Sequence, residues 1–176
     1  IRSWGEACGD TVAAIINGDP NIAESVIPGQ PTMRNIDNTK RFPNDLVNEE
    51  HGDGEIFGGA NWDFMELFGG GTVTEAAREE MAKVLFAGIP FIPISNVQFN
   101  DILIAFIAGD NTRGGNNVQR LRNAYGMHGI TEEGGINKLV EEAGATPPVE
   151  KQATSFQELQ SGIPVAGTLF DGSFVD

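Results

Sequence analysis

Cysteine is almost absent: Cys8 stands alone among 176 residues, which excludes an internal disulfide framework. It lies in a predicted helix beside alanines, where a small buried core residue is the default reading, and no histidine lies near it in sequence to activate the thiol. Long apolar runs are missing too, since no window reaches the roughly 18 apolar residues of a membrane span. Positive charge is scarce: 11 Lys and Arg against 25 Asp and Glu give a formal net charge of -14 and a pI of about 4.4. Phosphate-rich surfaces would repel such a chain, so neither nucleic acid nor a membrane is an expected partner. Acidity of this degree favours solubility and is common in secreted proteins, and a secreted location is the expectation. The chain opens Ile1-Arg2-Ser3 with neither Met nor a signal peptide, and it reads as a processed or excised piece. No internal repeat and no low-complexity run is found.

What is present is mainly helical. A first helix is predicted over residues 4–17, with Ala13, Ala14, Ile15 and Ile16 as its apolar load and Gly18-Asp19-Pro20 as its stop. Residues 21–49 are rich in Asn, Asp, Pro and Gly and read as a long ordered loop. A second helix follows over 54–68, closed by Gly69-Gly70-Gly71. A third opens on a capping box at Thr72-x-x-Glu75 and buries Ala77, Met81, Val84 and Leu85. A fourth opens on Ser95-x-x-Gln98, with Phe99, Ile102, Leu103, Phe106 and Ile107 as a wide apolar stripe. A fifth covers 116–127, and Thr131 starts a weaker sixth that includes Ile136, Leu139 and Val140. After Pro147-Pro148 the pattern changes to a β-like run over 163–175. The expectation is therefore a helical, bundle-like lobe of five to six helices over 1–146. Residues 147–176 form a β-like tail, or the start of an appended module.

Two clusters carry the chemistry. Glu6 and Asp10 are four apart and share one helix face, where they either form a solvated acidic face near a helix N-terminus or meet a cation. In the second case Glu6 is a metal ligand and Asp10 an acceptor that orients a ligating imidazole. His51, flanked by Glu49, Glu50, Asp53 and Glu55, is held toward the imidazolium form by those carboxylates. It is either a surface histidine of an acidic loop or a donor to an oxyanion. Asp53 and Glu55 read as capping residues, and Trp62 and Phe64 as core. Arg34 is a lone base among acids, for which a salt bridge is the default. His128 lies near a helix end, where the dipole favours a cation. Asp110, Asp171 and Asp176 are candidates for calcium, although no EF-hand spacing is present.

The clusters resemble the C-terminal lobe of the gluzincin metallopeptidases, the thermolysin and fungalysin group and their secreted bacterial relatives. Gly5-Glu6-Ala7-Cys8-Gly9-Asp10 is similar to that group's N-E-G-x-x-D-like helix, and His51 through Trp62 to its H-x-x-G-E segment that ends on a tryptophan. The segments Ala76-Ala77-Arg78, Phe99-x-Asp101 and His128-Gly129-Ile130 add to the likeness, which covers about residues 4–130. The resemblance implies that Glu6 is the third zinc ligand and Asp10 the partner of a ligating histidine. It implies that Arg34 grips a substrate carbonyl and that His51 stabilises the tetrahedral oxyanion. Where the group has Asn before the ligand glutamate, this chain has Gly5. The aspartate that partners the group's catalytic histidine finds only Asp45, nearby but shifted.

The H-E-x-x-H helix of the group occurs nowhere in the chain, whose two histidines fall at places the group uses otherwise. A catalytic zinc site needs three protein ligands and an open position. The implied function is thus the C-terminal part of a secreted zinc endopeptidase, acting with an N-terminal half or partner chain that carries H-E-x-x-H, on a peptide or protein substrate. The alternative is a non-catalytic assembly subunit that uses the same lobe as a scaffold and pairs its tail with a partner. A self-contained metal site of Glu6, His51 and His128 is the third option.

Overall fold

The computed structural model describes residues 2–134 apart from Ser25, Ile27 and Asn96; the expected sixth helix beyond 134 and the β-like tail lie outside the described residues. Within them the chain is mainly helical, as its apolar periodicity requires, with five α-helices and one two-stranded sheet. Helix α1 spans Arg2–Asn17 and buries Ser3, Ala7, Asp10, Thr11 and Ala14, a three-four spacing that puts one stripe against the core. Gly18, at φ 68, donates to the Ala14 carbonyl and ends it.

The loop that follows is ordered by a short antiparallel pair, β1 (Asn21–Ile22) and β2 (Arg34–Asn35), in which Ile22 faces Arg34. Helix α2 (Glu50–Gly69) is the centre of the molecule, buried around much of its circumference from Asp53 to Met65. Such burial demands close neighbours, and glycine supplies the room. A Cβ on Gly54 would lie 2.9 Å from the Ser3 carbonyl oxygen, so only glycine lets α1 approach α2 this closely there.

Helix α3 (Glu75–Gly88) starts at Thr74, whose hydroxyl accepts from Ala77 N–H, two residues later than the expected cap at Thr72. A 3-10 turn at Ile89–Phe91 leads to α4 (Phe99–Thr112). Its capping box is Gln98 with Asp101, not Ser95 with Gln98: the Asp101 carboxylate accepts from Gln98 N–H at 2.7 Å. Helix α5 is Val118–Met127, and a single 3-10 turn follows at Glu132–Gly134.

Helices α1 and α5 pack on α2, and α3 packs on α4. Aromatic side chains fill the joints. Trp4 stands edge-on to Phe57 and Phe106 at 5.7 and 5.4 Å, while Phe42, Phe99 and Phe57 stack in sequence at 4.4 Å each. Burying each such ring contributes about 1.5–3 kcal/mol, before the entropy of ordering is set against it. Trp62 and Phe64 belong to this core, as the sequence led one to expect. Cys8 is half-buried against it, and burial raises its thiol pKa, the opposite of a reactive cysteine.

Candidate functional site

The site forms where α1, β2 and the N-terminus of α2 meet. Helix periodicity puts Glu6 and Asp10 on consecutive turns of one face of α1, and the two acids then meet different partners. Asp10 is buried, and Arg34 reaches it from β2 as a fork: Nε donates to Oδ2 and Nη2 to Oδ1, both at 2.7 Å. The β1–β2 pairing aims that arginine. The Thr32 hydroxyl lies 2.8 Å from the Ile22 carbonyl and 2.6 Å from the Arg34 carbonyl, and Ile36 N–H donates to Pro20 O, so the strand pair is tied on both sides. The Asp10 bond, followed by the charges of Asp10, Glu6 and Glu55, raises the guanidinium pKa against a smaller desolvation cost. Among the described residues Nη1 keeps no hydrogen-bond partner, which leaves it for a carbonyl.

His51 sits in the first turn of α2, because that helix begins four residues before the expected start. Glu49 is its N-cap: one carboxylate oxygen accepts from Gly52 N–H at 2.9 Å, and the other lies 2.6 Å from His51 Nδ1. The opposite ring nitrogen, Nε2, lies 3.2 Å from Glu6 Oε2. The bond to Glu49, and then the charges of Glu6 and Glu49, raise the His51 pKa. The same bond, with the Gly52 and His51 amides, pulls Glu49 down to about 2. His51 thus lies between two carboxylates that favour its imidazolium form, half-exposed to solvent. The carboxylate on its ring is Glu49; Asp45 instead accepts from Arg41 N–H.

Other acids expected to cap α2 have different tasks. Asp53 accepts from Val47 N–H and fixes the loop ahead of the helix, while Glu55 pairs with Lys40 at 3.0 Å. Glu6, Glu50 and His51 each offer a ligand atom within 4.8 Å of one another, the only such group of three among the described residues. That group has a single imidazole and two carboxylates, all part-exposed, whereas catalytic zinc is held mostly by neutral histidine nitrogens. Glu6 thus fits the role of one carboxylate ligand offered to donors from outside these residues.

The self-contained site of Glu6, His51 and His128 does not form. His128 is buried in a separate place, against the Lys40 carbonyl and Asp63. It does stand at the C-terminal end of α5, where its sequence position placed it, and it is buried there. The calcium option finds no support at Asp110, whose buried carboxylate accepts from Asn117 N and Nδ2 and lies 3.6 Å from Arg113; Asp171 and Asp176 lie outside the described residues. No helix among the described residues is long and apolar enough to cross a membrane.

Sequence reasoning missed one member of the site and one pairing within it. Glu49 was visible only as one more acid near His51, although its place immediately before the first helical residue was a usable capping signal. The salt bridge expected of Arg34 is present, but its partner Asp10 lies 24 residues away across an irregular loop and left no local signal. Compared with protein families, curated proteins and solved structures, the chain matches none of them.

Proposed function

We propose that this chain is the downstream, helical part of a secreted zinc endopeptidase, completed by a segment or partner that carries H-E-x-x-H. The observation that carries the reading is the meeting of Glu6, His51 and Arg34 at one half-open surface, from three elements far apart in sequence. Glu6 supplies one carboxylate ligand. When bound, zinc would activate a water molecule and polarise the scissile carbonyl.

The chain's own residues do the rest. In this reading His51, whose Nε2 faces Glu6, gives Nε2–H to the developing oxyanion once Glu6 is committed to the metal, with Glu49 fixing the ring from the other side. Arg34 presents Nη1 to a substrate carbonyl while Asp10 prevents the guanidinium from turning. Each Asp10 oxygen retains a second lone pair, so it can also accept from an incoming imidazole.

The test uses the full-length gene product with its metal. Glu6→Gln should weaken zinc binding by at least about tenfold, because it removes a charged ligand. His51→Ala should leave zinc in place and lower kcat by about 10²–10³, the usual effect of losing one oxyanion donor. Loss of zinc from the His51 variant, or unchanged zinc in the Glu6 variant, would overturn the assignment. A full-length product and partners without H-E-x-x-H would favour the non-catalytic scaffold.

A further inference from the structure

His128 is one of nine buried polar residues among the described residues and sits at the C-cap of α5, with 1% of its surface exposed. Its Nδ1 lies 2.6 Å from the Lys40 carbonyl oxygen and its Nε2 3.0 Å from Asp63 Oδ2. A carbonyl oxygen only accepts, and so does an ionised carboxylate. With Asp63 ionised, both contacts are satisfied only by a ring that carries a proton on each nitrogen. The same residue holds the loop a third time, because Phe42 N–H donates to the His128 carbonyl at 2.9 Å.

The surroundings are built for this ring. A Cβ on Gly59 of α2 would overlap the imidazole, and one on Gly129 would overlap the Phe42 carbonyl. The charged and titratable groups around it are few. From α2, Asp63 pairs with the ring. From the loop, Lys40 turns its ammonium to Glu55 and Arg41 donates to the Met127 carbonyl. From α5, Tyr125 spends its hydroxyl on Asn61, and α4 meets this loop through Phe99 stacked on Phe42. Among the described residues Asp63 is the one charged group paired with the ring.

We infer that His128 is a charged latch: a doubly protonated imidazole that ties residues 40–42 to α2 and α5 and loosens that segment when the ring loses a proton. Deprotonation sets a bare nitrogen lone pair against an acceptor, so one of the two bonds becomes a repulsion. The segment it holds joins Arg34 on β2 to the start of α2, and Asn38 continues the tie by donating to the Glu55 carbonyl at 3.0 Å. The latch depends on these contacts alone and does not require the peptidase reading.

The test uses the whole chain and one isosteric swap. Asp63→Asn replaces the acceptor by an amide that donates to a bare Nε2, so a neutral ring then satisfies both contacts. In the wild type, the hydrogen-exchange protection factor of the Phe42 amide should fall about tenfold or more between about pH 5.5 and about pH 8.5. In Asp63→Asn it should stay level across the same range. Nitrogen-15 shifts of the His128 ring in the wild type should report two protonated nitrogens at about pH 5.5. A bare ring nitrogen at that pH, or equal pH dependence in wild type and variant, would overturn the latch. The ring shifts need no variant, so a poorly folding Asp63→Asn still leaves a decision.

Discussion

Replacing Asp10 with alanine tests how the site is held. The carboxylate is nearly buried, with 9% of its side chain exposed, and it accepts both donors of the Arg34 fork at 2.7 Å. Hydrogen bonds to a charged group contribute about 1.5–3 kcal/mol each, and removing one partner of a buried pair costs about 3–5 kcal/mol. Arg34 is itself 15% exposed, so the released guanidinium can recover part of its hydration. The expected loss is therefore at the low end, about 3 kcal/mol. For a chain of this length that lowers Tm by about 6–12 °C, at roughly 2–4 °C per kcal/mol. Urea unfolding should show a lower midpoint with an unchanged slope. A double-mutant cycle with Arg34→Ala should give a coupling of at least about 1.5 kcal/mol, since both single variants break the same contact. A loss below about 1 kcal/mol, or additive single effects, would refute the view that Asp10 is the anchor of Arg34.

Thr74→Ala should cost about 1 kcal/mol by removing the α3 cap, read by the same urea assay, whereas Thr72→Ala should cost little. Gly59→Ala should destabilise by about 1–3 kcal/mol, because the new methyl meets the His128 ring in a packed interior, and calorimetry would show the lowered Tm. The Glu49–His51 pair has a defined pH window. Glu49 is depressed from 4.5 to about 2, so its contribution is present above 4.5 and fades as pH falls toward 2. His51 is raised from 6.5, so its contribution is complete below 6.5 and fades as pH rises through the elevated folded value. The stability difference between wild type and His51→Ala should therefore be widest between pH 4.5 and 6.5; a flat difference from pH 2 to 9 would contradict the pairing.

The helices were legible because their apolar residues recur at three and four. Met81, Val84 and Leu85 on α3 and Phe99, Ile102, Leu103 and Phe106 on α4 are all buried as that period requires. Helix starts were less legible, because several residues compete for each cap. Thr74 prevailed over Thr72, and Gln98 with Asp101 over Ser95, since the cap belongs to whichever side chain lies beside a free amide once the turn is made. The early start of α2 has the same cause: Glu49 caps it, which carries His51 from the loop into the helix.

For the site, Glu6 and Asp10 could be placed on one face from their spacing alone. What spacing could not give was their division of labour, one acid to His51 and the other to Arg34, because those partners arrive through an irregular loop whose path is set by tertiary contacts. His128 was placed at its helix end, but its partners were illegible for a related reason. A histidine at a helix end suggests a dipole contact, but the Lys40 carbonyl and Asp63 that enclose it come from distant parts of the chain.

The zinc environment of the full-length gene product is the most direct test of the central claim. X-ray absorption at the zinc edge should show two imidazole nitrogens and one carboxylate oxygen from protein, and Glu6→Gln should alter the carboxylate contribution and lower zinc occupancy. A spectrum identical in wild type and Glu6→Gln would contradict the account, as would tight stoichiometric zinc on residues 1–176 alone.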